Sequence, residues 1–194
     1  MIMRTLPRVL KLDVAGNPME WISYKESATA YAKGNVAWAA ATTDFDIFGG
    51  TNAATGQRSV LSINTIIAVR GKFSQKALES ANRITLDNTA LFRRDMCICA
   101  YCCEEFPESR LTRDHIIPTS KGGKNNWMNV VTACGPCNLK KDNKSLDQLG
   151  WQLSYVPYTP NKAEQLILMN KGILADQMEF LLKRVPQHSR LLAA

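Results

Sequence analysis

Residues 99–144 read CAYCCEEFPESRLTRDHIIPTSKGGKNNWMNVVTACGPCNLKKDNK. The two ends of this stretch share one spacing, Cys99-Ala-Tyr-Cys102 and Cys134-Gly-Pro-Cys137. Each knuckle sets two sulfurs on one side of a tight turn, and four thiolates together satisfy the tetrahedral preference of zinc. Cys97 and Cys103 flank the first knuckle and leave other pairings open; Cys99 with Cys102 is preferred because both knuckles then match. In a reducing compartment the cysteines stay thiols or thiolates, and without a metal they would serve as small buried hydrophobes. A four-thiolate zinc site has no open coordination position, so it is expected to hold shape and not to do chemistry. What it holds is the loop from Cys103 to Ala133, pinned at both ends.

Inside that loop lie Arg113-Asp114-His115-Ile116-Ile117-Pro118, then Ser120-Lys121-Gly122-Gly123, then Asn129, with Asn138 just past the last cysteine. The chain has only two histidines. An imidazole of ordinary pKa, about 6.5, suits proton removal near neutrality, which makes His115 the candidate general base. Asp114 and Asn138 offer the hard oxygen ligands that magnesium or manganese favours. A base, a cation and rigid positioning are what phosphodiester hydrolysis requires. Purely structural roles compete with these. Asp114 could pair with Arg113 or Arg110, and Asn129 and Asn138 could each cap a helix. Asn126 competes with Asn129, but the spacing from Trp127 favours Asn129. His188 sits in an arginine-flanked polar tail and is left aside.

The run Asp114-His115-Ile116-Ile117-Pro118, the Ser-Lys-Gly-Gly turn, Trp127 two positions before Asn129, and Ala133-Cys134 leading to Cys137-Asn138 closely resemble the HNH nucleases. Arg94-Asp95 ahead of the first knuckle is similar to that family's approach to its zinc site. The resemblance covers residues 86–144 in detail; the N-terminal stretch is loosely similar to small stand-alone HNH proteins of bacteria and their phages. It implies a two-stranded hairpin and a helix gripping one divalent ion, the ββα-metal finger. By the same resemblance His115 is the general base at the end of the first strand and Asp114 a metal ligand beside it. Asn129 is then the middle asparagine that braces the loop and helps set the histidine, and Asn138 the second metal ligand, on the helix. Asparagine in that last position, where relatives often carry histidine, favours magnesium or manganese over zinc or nickel. The products implied carry a 5′-phosphate and a 3′-hydroxyl.

Outside this module the signals are weaker. The chain has 194 residues, 45% hydrophobic and 21% charged, enough for a sizeable core. No apolar run reaches the roughly 18 residues of a membrane span. The start, Met1 to Leu10, lacks the apolar run of a secretory signal. An intracellular protein with no membrane partner is therefore expected, and the resemblance to small bacterial and phage proteins implies the cytoplasm of a bacterial host cell. The net charge of +7 favours a polyanionic partner. Arg110, Arg113, Lys121, Lys124, Lys140, Lys141 and Lys144 crowd the module; Arg113, Lys121, Lys124, Lys140 and Lys141 are expected to hold nucleic-acid phosphates. No spacing spells a base-reading motif.

The fold class expected is α+β, in three parts: a mixed strand and helix region over 1–72, the nuclease module over 85–150, and a helical tail over 151–194. Along the chain, the pattern predicts a strand over Val9–Val14, a turn at Gly16-Asn17-Pro18, a helix from Trp21 to Tyr31 and a strand over Asn35–Ala41. Thr42–Arg58 reads as an exposed loop and Val60–Val69 as one strand. Then follow a helix from Leu86 to Asp95, a strand over Arg110–Ile117, a short helix or turn over Trp127–Val131, a helix over Cys137–Lys144 and another over Ala163–Val185. The function expected is a DNA endonuclease needing magnesium or manganese beside a structural zinc, serving phage DNA processing with a packaging assembly, homing or restriction. One module cuts one strand, so a double-strand cut would need a dimer or two visits. The alternative is a non-catalytic zinc-knuckle module that binds nucleic acid, or an adaptor acting through residues 1–72. Such a protein has no need of Asp114, His115 and Asn138 together.

Overall fold

The computed structural model describes residues 7–40, 43–71, 84–170 and 172–192. The boundary expected near Lys72, the first six residues and Ala41–Thr42 lie outside them. The chain forms two compact units, one from the described residues of 1–83 with 170–184, the other from 84–169 with 185–194. Residues 151–194 are thus divided between both.

The first unit begins with a hairpin, β1 (Val9–Leu12) and β2 (Pro18–Ile22), closed where Asn17 donates backbone and side-chain N–H groups to the Asp13 carboxylate at 2.8 Å each. Trp21 and Ile22, expected in a helix, pair instead with Leu10 and Val9. Helix α1 (Tyr24–Ala32) starts only after Ser23, where Ser23 and Glu26 form a reciprocal capping box. That Ser-x-x-Glu signature was present in the sequence and sets the boundary. Strands β3 (Val36–Ala39), β4 (Asp44–Thr51), β5 (Arg58–Asn64) and β6 (Ile66–Val69) follow. A four-stranded sheet runs β2-β1-β6-β3, with β1 and β6 parallel, while β4 and β5 make a separate hairpin.

Two further expectations fail in this unit. The loop expected over Thr42–Arg58 contains β4, because Phe45 and Ile47 alternate with Asp44 and Asp46 and cross to Ile63 and Leu61 of β5. The strand expected over Val60–Val69 breaks at the buried Thr65, whose N–H donates to Thr43 O, and the chain changes sheets there. Val9, Ile22, Ile63 and Ile67 form the core.

The second unit carries the module. Helix α2 (Asn88–Arg94), capped by Asp87, delivers the chain to the first knuckle. Strands β7 (Leu111–His115) and β8 (Val130–Cys134) pair antiparallel in the register Leu111↔Cys134 to His115↔Val130. Helix α3 (Gly135–Lys141) follows without a break, proline in its first turn where no N–H is missed. The hairpin and helix implied by the resemblance are therefore present. Residues 130–134, expected in part as a short helix, form the fully buried β8.

Short helix α4 (Leu146–Leu149) and helix α5 (Lys162–Met169) complete this unit, and α6 (Ala175–Leu182) belongs to the first. The single helix expected over Ala163–Val185 is thus two, parted at a stretch holding Gly172, a weak helix former.

Arg94, fully buried, ties the second unit together. It pairs with Asp95 at 2.7 Å and donates to the carbonyls of Trp127, Val130 and Tyr158 at 2.8–2.9 Å. Asp95 in turn accepts the N–H of Thr132 on β8 at 2.9 Å. Every strong donor and acceptor of this buried pair is used, the condition under which a buried ion pair is tolerated. Ala90, Leu91, Phe92, Leu111, Trp127 and Val130 pack beside it.

Candidate active site

The four knuckle sulfurs of Cys99, Cys102, Cys134 and Cys137 lie within 4.8 Å of one another, with Cys102 and Cys134 at 4.0 Å. Tetrahedral zinc with bonds of about 2.3 Å needs sulfurs about 3.8 Å apart, so this set fits a zinc ion with small adjustments. Cys97 and Cys103 are not part of it. Burial opposes a thiolate at Cys99, but N–H groups of Cys102, Cys134 and Tyr101 hold its pKa below the ordinary thiol value. Burial pushes the Cys137 thiol well up, with Cys134 and Cys99 adding to it. A proton at Cys137 is what a zinc ion displaces on binding.

The knuckle does more than hold sulfurs. Tyr101, between its two cysteines, donates its hydroxyl to Asp114 Oδ2. Burial first, then the Asp114 carboxylate, raise the Tyr101 pKa far above its normal range, so the phenol stays protonated and remains a donor. On the other side, the Lys141 ammonium lies 3.1 Å from Asp114 Oδ2, 3.3 Å from Oδ1 and 2.7 Å from the carbonyl of His115. Lys141 is completely buried. Expected to hold phosphate, Lys141 is here engaged with the Asp114 carboxylate and the carbonyl that ends β7.

Asp114 and His115 both line a cavity of about 170 Å³, together with Pro118, Thr119, Ser120, Lys141, Asp142 and Asn143. Asp142 holds φ +48° and ψ −134°, a left-handed conformation that favours glycine, just past the end of α3. Neither Asp142 nor Asn143 was singled out from the sequence. The signal available was their place one turn beyond Asn138.

Asn138 does not line this cavity. Its Nδ2 donates to Thr112 Oγ1 at 3.0 Å, and that hydroxyl donates onward to Ala133 O. A hydroxyl proton already committed leaves Thr112 only as an acceptor, so the amide presents N–H there and keeps Oδ1 for another partner.

Asn129 closes the loop after β7. Its Oδ1 accepts from Ile117 N at 2.9 Å, and its Nδ2 donates to the carbonyls of Ile117 and Lys124 at 3.1 and 2.9 Å. A Cβ at Gly123 would sit 1.7 Å from Ile117 O, so only glycine lets this loop close. Asn126 caps the same turn through the N–H groups of Met128 and Asn129.

Of the other expected cations, Lys124 is exposed, Lys121 donates to Gln148 at 2.9 Å, and Lys140 lies 5.6 Å above the Trp151 ring. Arg113 donates Nη1 to Asn125 Oδ1 at 3.0 Å. That same oxygen lies 3.3 Å from His115 Nε2.

A hairpin feeding a helix, flanked by four clustered cysteines able to hold a metal ion and presenting an adjacent aspartate and histidine, defines a ββα module. Residues 99–154 match the family model described as HNH endonuclease. No curated protein matches the chain. Among the described residues no helix is long and apolar enough to cross a membrane.

Proposed function

We propose that the protein is a divalent-metal-dependent endonuclease that hydrolyses phosphodiester bonds of DNA. The observation that carries this reading is the shared cavity of Asp114 and His115 at the end of β7. A module that merely bound nucleic acid would have no use for a buried carboxylate next to a histidine with an accessible ring.

The donor chemistry suits a hard cation: the Asp114 carboxylate borders the cavity, and Asn138, outside its lining, keeps an Oδ1 that Thr112 does not use. Asp114 and Asn138 are accordingly the residues that would hold magnesium or manganese. Once bound, such an ion supplies charge stabilisation to the phosphate and the leaving oxygen. The chain's own contribution is positional. Tyr101 and Lys141 fix the carboxylate of Asp114 before any substrate arrives. His115 takes the proton of the attacking water, and Asn129 keeps the following loop from moving its ring. Arg113, Lys121, Lys124 and Lys140 supply the positive rim for the phosphate backbone.

Supercoiled plasmid incubated with magnesium or manganese tests the reading. The wild type should nick it, and His115→Ala should lower the rate by about a hundredfold or more, the range of general-base catalysis. Equal cleavage by both proteins, or none by the wild type with either ion, overturns the proposal.

A further inference from the structure

Asn125 lies outside the lining of the cavity, yet its side-chain oxygen touches two functional groups at once. Arg113 Nη1 lies 3.0 Å from Oδ1, and His115 Nε2 lies 3.3 Å from the same atom. A guanidinium can only donate. The amide must therefore turn its oxygen, and not its NH2, toward Arg113. An oxygen is only an acceptor, so the imidazole nitrogen facing it must carry hydrogen. The orientation passes from Arg113 to Asn125 to His115, and each step is forced by donor and acceptor type.

We infer that Asn125, locked by Arg113, is a positioning residue that fixes His115 as its Nε2–H tautomer and leaves Nδ1 as the proton-accepting atom. This deepens, and rests on, the reading of His115 as the general base. Nδ1 has no hydrogen-bond partner among the described residues, and His115 borders the cavity. When Nδ1 takes a proton, Nε2–H keeps donating to Asn125, so the ring need not reorient during the step. The carbonyl oxygen has two lone pairs, and the two donors use both. Asn125 stands four residues before Asn129 in the same loop, which gives two asparagines two separate tasks: Asn129 sets the backbone, and Asn125 sets the ring.

The test reads the ring directly by nitrogen NMR of the zinc-loaded protein, without substrate, in mildly alkaline buffer. Only two histidines need assigning, and His188→Gln identifies them. In the wild type His115 Nδ1 should resonate as an unprotonated nitrogen and Nε2 as a protonated one. Asn125→Leu, similar in size but unable to accept, should move both resonances toward an average of the two tautomers. It should also slow plasmid cleavage about ten- to a hundredfold, the range of partners that orient functional histidines. Asn125→Asp keeps an oxygen toward both donors and should restore the wild-type ring signature. A protonated Nδ1 in the wild type, or ring resonances unmoved in Asn125→Leu, overturns the inference. A wild type that shows the signature yet cuts no DNA supports the tautomer assignment and overturns only the nuclease reading.

Discussion

Replacing Lys141 by methionine removes a fully buried ammonium of nearly the same shape from beside Asp114. At 3.1 Å and an effective dielectric of about 20, the attraction between the two charges is about 5 kcal/mol. Part of that is offset by the water each charge gives up on burial. What remains after the substitution is a carboxylate at 7% exposure with Tyr101 as its one strong partner, and a His115 carbonyl that has lost a donor at 2.7 Å. Breaking a buried pair in this way costs about 3–5 kcal/mol. For a unit of this size the corresponding melting transition falls by about 15 °C or more. Calorimetry of the zinc-loaded protein measures it.

Asp114→Asn in the same background removes the stranded charge and should recover about 1–3 kcal/mol, the usual coupling between contacting groups. Magnesium should stabilise Lys141→Met by supplying the missing positive charge, about 2.7 kcal/mol at a hundred times the dissociation constant. A loss below about 1 kcal/mol for Lys141→Met, or additive single and double variants, refutes the assignment of Lys141 as the partner of Asp114.

Three further outcomes are expected. Metal analysis should find about one zinc per chain in the wild type and none in Cys134→Ser, which should also lose the near-ultraviolet signal of Trp127 and Trp151; zinc retained in full would defeat the clamp. Asp142→Gly relieves a left-handed backbone and should stabilise the protein by about 1 kcal/mol in denaturant unfolding while retaining cleavage; abolished cleavage would make Asp142, not Asn138, the second ligand. Gln177→Leu strips the carbonyls of Arg8 and Thr65 of their 2.8 and 2.9 Å donor and should cost about 2 kcal/mol by hydrogen-exchange measurement of β1 and β6. An unchanged exchange rate there would show that those carbonyls find other partners.

Within the module, local pattern was a good guide because the knuckles, the turn at Gly122–Gly123 and the strand at Leu111–His115 are set by residues close in sequence. The same local reasoning misplaced Trp21 and Ile22, whose helical spacing is overridden by hairpin pairing with Val9 and Leu10. It missed β4, since Asp44, Asp46 and two glycines outweigh an alternation that only β5 makes worthwhile. In the tail it ran through Gly172 and joined two helices.

Residue type and spacing by themselves determined that four cysteines share one place, that Asp114 and His115 adjoin, and that the chain is basic. Each follows from chemistry carried by neighbours along the chain. Only the tertiary structure decided that Lys141 faces inward, that Tyr101 reaches Asp114 from the zinc knuckle, and that Asn125 faces His115. Burial and donor–acceptor pairing are properties of residues brought together across 10 to 27 positions, and an isolated lysine or asparagine carries no mark of which side of a helix or loop will be closed over.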